Sequence, residues 1–341
     1  MLVGARQESH VVAVEALEAR DCVGGDVLVG VSDVRSAVGV RDRRGDVERW
    51  PWGISWRSHG APTLTSVSRD RPAPPLPEPV GTLVDAHTHL DACGATDATS
   101  VAAIVDKAES VGVTRVVTIA DDLEAARFAV DAASWDPRVW AAVAIHPTRA
   151  NVLDDAAKAE IERLASDPRV VAVGETGLDY YWPGKLDGCA TVAEQHDGFR
   201  WHIDLAKRLG KPLMIHNREA DEDLLAVLTA EGAPETVIFH CFSGGPETAK
   251  ACVDAGYVLS FSGTVSFKNA HALREAAVLV PDESVLVETD APFLTPHPYR
   301  GAPNEPYCLP YTARALAEVR GQDPAELAAH ATANAERLYG L

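Results

Sequence analysis

Leu83-Val84-Asp85-Ala86-His87-Thr88-His89-Leu90 is the stretch that decides the fold: a short apolar entry closed by two histidines at i and i+2. Side chains alternate faces along a β-strand, so His87 and His89 share one. Both imidazoles then reach a single metal ion at the end of that strand. The pattern recurs downstream, where four further acidic or histidine positions stand at the ends of short apolar runs. The runs cover 83–87, 115–120, 139–146, 170–176, 212–216, 236–240, 257–262 and 285–290. Runs this short do not separate strand from helix alone. The helical stretches between them, such as 192–209 and 221–228, decide for βα units. Eight units over about 260 residues fit a (β/α)8 TIM barrel, an α/β fold. A doubly wound open sheet would want a Gly-rich phosphate turn after its first strand, and none stands there. Two more helices are expected at 311–319 and 324–338, the second capped by Asp323 with Pro324 at its first position.

Functional residues of such a barrel sit at the C-terminal strand ends. Strand one ends in His87 and His89, strand four in Glu175, strand five in His216, strand six in His240 and strand eight in Asp290. Any one of these is more simply a hydrogen-bonded structural residue. Six at one mouth are not so explained. Four histidines and two carboxylates suit Zn, Mn, Mg or Fe better than Ca. Six ligands exceed one tetrahedral site, so two divalent ions (Mg, Zn or Mn) are expected, with Glu175 bridging from a middle strand. Two such ions would hold a hydroxide and polarise a phosphoryl or carbonyl oxygen, which is hydrolase chemistry. Glu175 and Asp290 are the expected catalytic carboxylates, Asp290 taking a proton from the attacking water. Arg218, Lys268 and His146 are the expected substrate contacts. Arg218 lies two residues beyond His216, Lys268 follows strand seven and His146 ends strand three. Cations beside a dimetal centre suit phosphate or carboxylate oxygens. A supporting role for His146 stays open beside the substrate contact.

Composition narrows the classes. The 341 residues are 46% hydrophobic and 24% charged, ordinary for a globular protein. No apolar run approaches the roughly 20 residues that span a bilayer, and the N-terminus lacks a signal-peptide pattern. A cytoplasmic, membrane-free and monomeric protein is expected. Six cysteines form no C-x-x-C pair, so neither a zinc cage nor a redox dithiol is indicated. Residues 1–81 carry 10 Arg and no Lys against 11 acidic residues; residues 82–341 carry 21 basic against 39 acidic. So acidic a body does not attract polyanions over a broad surface, and a nucleic acid must be gripped locally. Residues 1–81 are expected to be a disordered, dispensable extension. It ends in the Pro-rich linker Arg71-Pro72-Ala73-Pro74-Pro75-Leu76-Pro77-Glu78-Pro79, which precedes a single domain at 82–341.

Seven ordered segments carry a resemblance. They are Val84-Asp85-Ala86-His87-Thr88-His89-Leu90-Asp91, Ala144-Ile145-His146-Pro147 and Val173-Gly174-Glu175-Thr176-Gly177-Leu178-Asp179-Tyr180, then Ile215-His216-Asn217-Arg218 and Phe239-His240-Cys241-Phe242-Ser243-Gly244. Glu288-Thr289-Asp290-Ala291-Pro292-Phe293-Leu294 and Asn304-Glu305-Pro306 complete the set. Together they resemble the TatD family of metal-dependent hydrolases, over 82–341 and none of 1–81. The resemblance implies a (β/α)8 barrel of the metal-dependent hydrolase type. It implies one ion on His87, His89, Glu175 and Asp290, and another on Glu175, His216 and His240. It also implies a 3′-5′ deoxyribonuclease that uses a metal-bound hydroxide on DNA ends or single-stranded DNA. The alternative it leaves is a D-aminoacyl-tRNA deacylase, or another amidohydrolase-type ester or amide hydrolase, with aminoacyl-tRNA as substrate. Many amidohydrolases place a carboxylated Lys on strand four; Glu175 at that position favours the nuclease class. Thr176 stands where the family often has Ile, away from the ligand set.

Overall fold

Runs rich in Val, Ile, Leu and Ala favour extended backbone and bury both faces, as a parallel sheet between helices requires. In the computed structural model they form eight parallel strands: β1 (Leu83–Thr88), β2 (Val113–Ile119), β3 (Val139–Val143), β4 (Val170–Asp179), β5 (Leu213–Arg218), β6 (Val237–Phe239), β7 (Val258–Phe261) and β8 (Val285–Val287). The structure describes residues 71–341, and before them the backbone of a two-residue antiparallel ladder, Ile54–Ser55 with Thr63–Leu64. Expectations for the rest of 1–70 lie outside the described residues.

Each strand pairs with the next in sequence from β1 to β8, a nearly closed barrel. The seam between β8 and β1 has no ladder. It is closed by one bridge, Thr88 to Ala291, and by two backbone hydrogen bonds, Asp290 N to His87 O (2.9 Å) and His89 N to Ala291 O (2.8 Å). Between strands run α1 (Ala98–Glu109), α2 (Leu123–Trp135), α3 (Asp155–Ala165), α4 (Val192–Leu209), α5 (Asp221–Glu231), α6 (Pro246–Asp254) and α7 (His271–Leu279), followed by α8 (Leu309–Arg320) and α9 (Pro324–Tyr339). Their starts follow local chemistry. Asp97, Asp122, Asp154 and Asp323 accept from backbone N–H groups of the first turn, and Thr191 with Glu194 forms a capping box on α4. Inside the barrel Val84, Val117, Ile119, Ala142, Met214 and Leu286 pack together, with Ala335 and Tyr339 of α9 against them. Among the described residues no helix is long and apolar enough to cross a membrane.

Two boundaries differ from expectation, and both shape the site. β3 stops at Val143, and His146 instead caps a 3-10 turn at Pro147–Val152. β4 runs on to Asp179, and β5 approaches it closely at Gly174 and Gly177. A Cβ on Gly174 would meet Met214 Cβ at 2.4 Å, and one on Gly177 would meet His216 O at 2.1 Å. Gly177 also has φ +142°, which side-chain-bearing residues rarely adopt.

The Pro-rich segment is not a free linker. Pro74, Pro77 and Val80 are buried between exposed neighbours, a period of three, which is that of a polyproline II helix. Such a helix leaves its carbonyls free, and α8 and the turn before it take them up. Tyr307 Oη donates to Pro74 O (2.7 Å), Tyr311 Oη to Pro75 O (2.9 Å) and Arg314 Nη2 to Glu78 O (2.7 Å). Proline content excludes helix and ladder, but not a strap packed along a barrel.

Candidate metal centre

At the C-terminal mouth, β1 delivers His87 and His89 with their Nε2 atoms 3.2 Å apart. His89 is held by its other nitrogen, Nδ1, 3.2 Å from Ile119 O, and His87 Nδ1 lies 3.2 Å from Met214 Sδ. Both Nε2 atoms therefore turn to the same space. Asp290 Oδ1 faces them at 3.7 and 3.6 Å, and Glu175 Oε1 at 4.0 and 3.7 Å. The second oxygen of Glu175 faces elsewhere: Oε2 is 3.4 Å from His216 Nδ1 and 2.6 Å from His240 Nε2. One carboxylate thus divides its oxygens between two histidine pairs. All six expected ligands come together, and His146, Glu175 and His216 form a further group whose atoms lie within 4.8 Å of one another.

Asp290 sits at φ +51°, a costly conformation for a residue with a side chain. The seam imposes it. Buried Asp85 accepts from Thr289 N (2.9 Å), Thr289 Oγ1 (2.5 Å) and His87 N (3.4 Å). Thr289 Oγ1 accepts from Ala291 N (3.2 Å), and Asn304 Nδ2 donates to Thr289 O (2.9 Å). The backbone on both sides of Asp290 is therefore fixed from β1 and from the loop before α8.

Burial disfavours charge on His87, His89, Glu175 and His240, and at the last three of these neighbouring charges outweigh it. It pushes His89 down, but the facing carboxylates of Asp290 and Glu175 outweigh it and raise the imidazole to about 9. His240 is likewise raised, by Glu175 and Glu288 against burial. Glu175 is drawn well below the usual carboxylate range by His240 and His216, again against burial. His87, fully buried and beside His240, falls well below the usual imidazole range.

The residues fit divalent ions. Two nitrogens on one ion at about 2.0–2.1 Å stand roughly 3.0–3.5 Å apart, the spacing of His87 and His89. Glu175 Oε2 is buried, with no aligned hydrogen-bond donor despite the nearby imidazoles. Cations in this space would take over the charge that protons on His89 and His240 otherwise supply.

Three residues absent from the expected ligand set support it. Asp179 Oδ2 lies 3.0 Å from His216 Nε2, Glu288 Oε1 lies 3.4 Å from His240 Nδ1, and Asp85 holds the seam. Carboxylates behind ligand histidines orient the rings and raise their basicity. Each stands two or four residues from an expected ligand, the even spacing that shares a strand face, so a signal was present.

Above the cluster opens a cavity of about 540 Å³. Arg218 lines it, its guanidinium 3.9 Å over the Tyr181 ring and 5.4 Å from that of Trp182. His146 lines it too, 4.3 Å from the His216 ring, with Nδ1 2.7 Å from Thr148 Oγ1. Burial, then the His216 charge, push His146 down to about 3. Lys268 is not brought to this group. It is exposed and does not line the cavity, and its segment is held by Arg274, which donates to the carbonyls of Phe267 (2.6 Å) and Lys268 (3.1 Å).

Residues 84–340 match the family model described as TatD related DNase. Over 259 residues the chain is 66% identical to the metal-dependent hydrolase TatD of Mycobacterium tuberculosis, covering 76% of this chain and 98% of the relative. It is 33% identical over 246 residues to the 3′-5′ ssDNA/RNA exonuclease TatD of Erwinia billingiae, covering 70% and 92%. The crystal structure of YJJV, a TatD homologue from Escherichia coli K12, matches with a TM-score of 0.69 at 26% identity, covering 77% of this chain and 99% of that one.

Proposed function

This chain belongs to the TatD-related family of metal-dependent hydrolases, and we propose that it is a phosphodiesterase removing nucleotides from the 3′ end of single-stranded DNA. The observation that carries the proposal is the divided Glu175 carboxylate beneath a cavity that also holds Arg218. In this reading His87, His89, Glu175 and Asp290 hold one divalent ion, and Glu175, His216 and His240 a second. Such ions, when bound, polarise a phosphoryl oxygen and make water acidic enough to attack near neutral pH. The protein supplies the rest. Asp290 Oδ1 faces the same space as both Nε2 atoms, placed to take the proton of the attacking water. Arg218, steadied against Tyr181, offers a planar fork to the phosphate oxygens. His146 borders the same cavity and presents a neutral ring to substrate or to His216. Lys268 is left to phosphates of a strand that runs beyond the cavity. The exonuclease named among the relatives supports this choice of substrate.

The test compares metal-stripped protein with protein restored by Mg, Mn or Zn, on single-stranded DNA labelled at either end and on an aminoacyl-tRNA. Release of 3′-terminal nucleotides only after restoration is expected. Deacylation of the tRNA with the DNA left intact would replace the proposal by carbonyl hydrolysis.

A further inference from the structure

We infer that the cavity wall built from Tyr181, Trp182 and Val152 is a nucleobase subsite, with Trp182 stacking on the terminal base of the strand being cut. The inference rests on the phosphodiesterase reading above and adds which part of the substrate is gripped.

A phosphate alone does not need this cavity. At about 540 Å³ it falls within the range of roughly 300–1,000 Å³ that accommodates an organic ligand. Away from the carboxylates and histidines its walls include Val152, Tyr181, Trp182, Leu186, Phe293 and Leu294. Val152 is 50% exposed, an apolar side chain at the rim. Beside this wall stands Arg218, with its guanidinium plane over Tyr181. An aromatic wall next to an anion-binding fork is the combination a nucleotide needs. The π face takes the base and the cation takes the phosphate.

The wall is also set at a fixed distance from the cluster. Buried Asp179 uses Oδ2 for His216 Nε2 (3.0 Å) and Oδ1 for the backbone N–H groups of Tyr181 (3.0 Å) and Trp182 (3.1 Å). Gln195 clamps Asp179 itself, accepting from its N (2.8 Å) and donating to its O (2.9 Å). The loops after β3 and β4 are tied by Ala190 N to Thr148 O (2.8 Å) and Asn151 Nδ2 to Gly188 O (3.3 Å). A base against Trp182 is therefore held in register with the reacting phosphate by one carboxylate and two loop ties.

Base–aromatic stacking is worth about 1–3 kcal/mol per base, which is roughly 5- to 150-fold in KM. The experiment uses the metal-loaded full chain and its Trp182→Ala and Trp182→Phe variants. Three strands are compared: intact, abasic at the 3′-terminal nucleotide, and abasic well inside. The parent should lose that factor on the terminally abasic strand and nothing on the internally abasic one. Trp182→Ala should lose it on the intact strand with no further loss on the terminally abasic one, and Trp182→Phe should recover most of it. Equal cleavage of intact and terminally abasic strands by the parent overturns the subsite while the phosphodiesterase stands, and this arm needs no variant to fold. If Trp182→Ala falls below the parent by the same factor on the terminally abasic strand as on the intact one, the subsite is overturned too. If the parent cuts no strand, the phosphodiesterase reading falls and takes the subsite with it.

Discussion

Asp85→Ala tests whether the seam sets the geometry of the site. Asp85 is fully buried and receives three hydrogen bonds, from Thr289 N, Thr289 Oγ1 and His87 N. The hydroxyl of Thr289 can turn to another partner. The two backbone N–H groups cannot, and each buried donor left without an acceptor costs about 1–3 kcal/mol. With the small cavity added, Asp85→Ala should cost about 3–5 kcal/mol. At roughly 2 °C per kcal/mol, the lower end of the usual range and the one that applies to a barrel of this size, melting should fall by about 6–10 °C. Asp85→Asn keeps an acceptor for Thr289 N and should cost only about 1–2 kcal/mol. The local effect is the sharper one. Freed from Thr289, Asp290 should relax from its left-handed backbone, so Asp85→Ala should retain less metal than its melting loss alone accounts for. The assay is a melting curve for each variant, paired with elemental analysis after dialysis against trace metal. A melting point within about 2 °C of the parent, with full metal content, would refute the seam as the device that places Asp290.

Glu175→Ala should abolish activity and strip both ions, whereas His146→Ala should lose roughly 10–100-fold and keep them; equal losses in kcat with unchanged metal content would remove the bridge. Arg218→Ala should raise KM for an oligonucleotide and flatten its salt dependence by about 0.7 in slope. Lys268→Ala, altered outside the cavity, should do less, and a larger effect from Lys268 would displace Arg218 as the main phosphate contact. A chain beginning at Gly81 should melt several degrees below one beginning at Arg71. It uncovers Tyr307 and removes the acceptor of its buried hydroxyl, worth about 1–3 kcal/mol; superimposable melting curves would show that the strap adds nothing.

The barrel was legible because its strands announce themselves by β-branched runs, several of them closed by a histidine or a carboxylate. The six expected ligands came from position alone, at strand ends that a barrel brings together. What stayed hidden depends on loop direction and hydrogen-bond partners. Lys268 lies close to β7 in sequence, but its segment, tied at two carbonyls to Arg274, leaves it exposed and outside the cavity. Asp85, Asp179 and Glu288 have the right spacing, yet spacing does not say which donors a carboxylate will meet. Proline content alone points to a free linker; the packed strap shows only in the three-residue period of Pro74, Pro77 and Val80.

Asp179 is a junction, since the same carboxylate holds His216, an expected ligand, through one oxygen and the backbone of the aromatic wall through the other. Two events at such a junction are not independent. A cation that drew on His216 would also draw on the group that positions Tyr181 and Trp182, so occupancy at one end would change affinity at the other. Thermodynamic linkage makes the effect reciprocal: if the cation tightens the grip on the strand, the strand must tighten the grip on the cation by the same factor. An enzyme wired in this way would shed its ions most readily between substrates and keep them best while processing one.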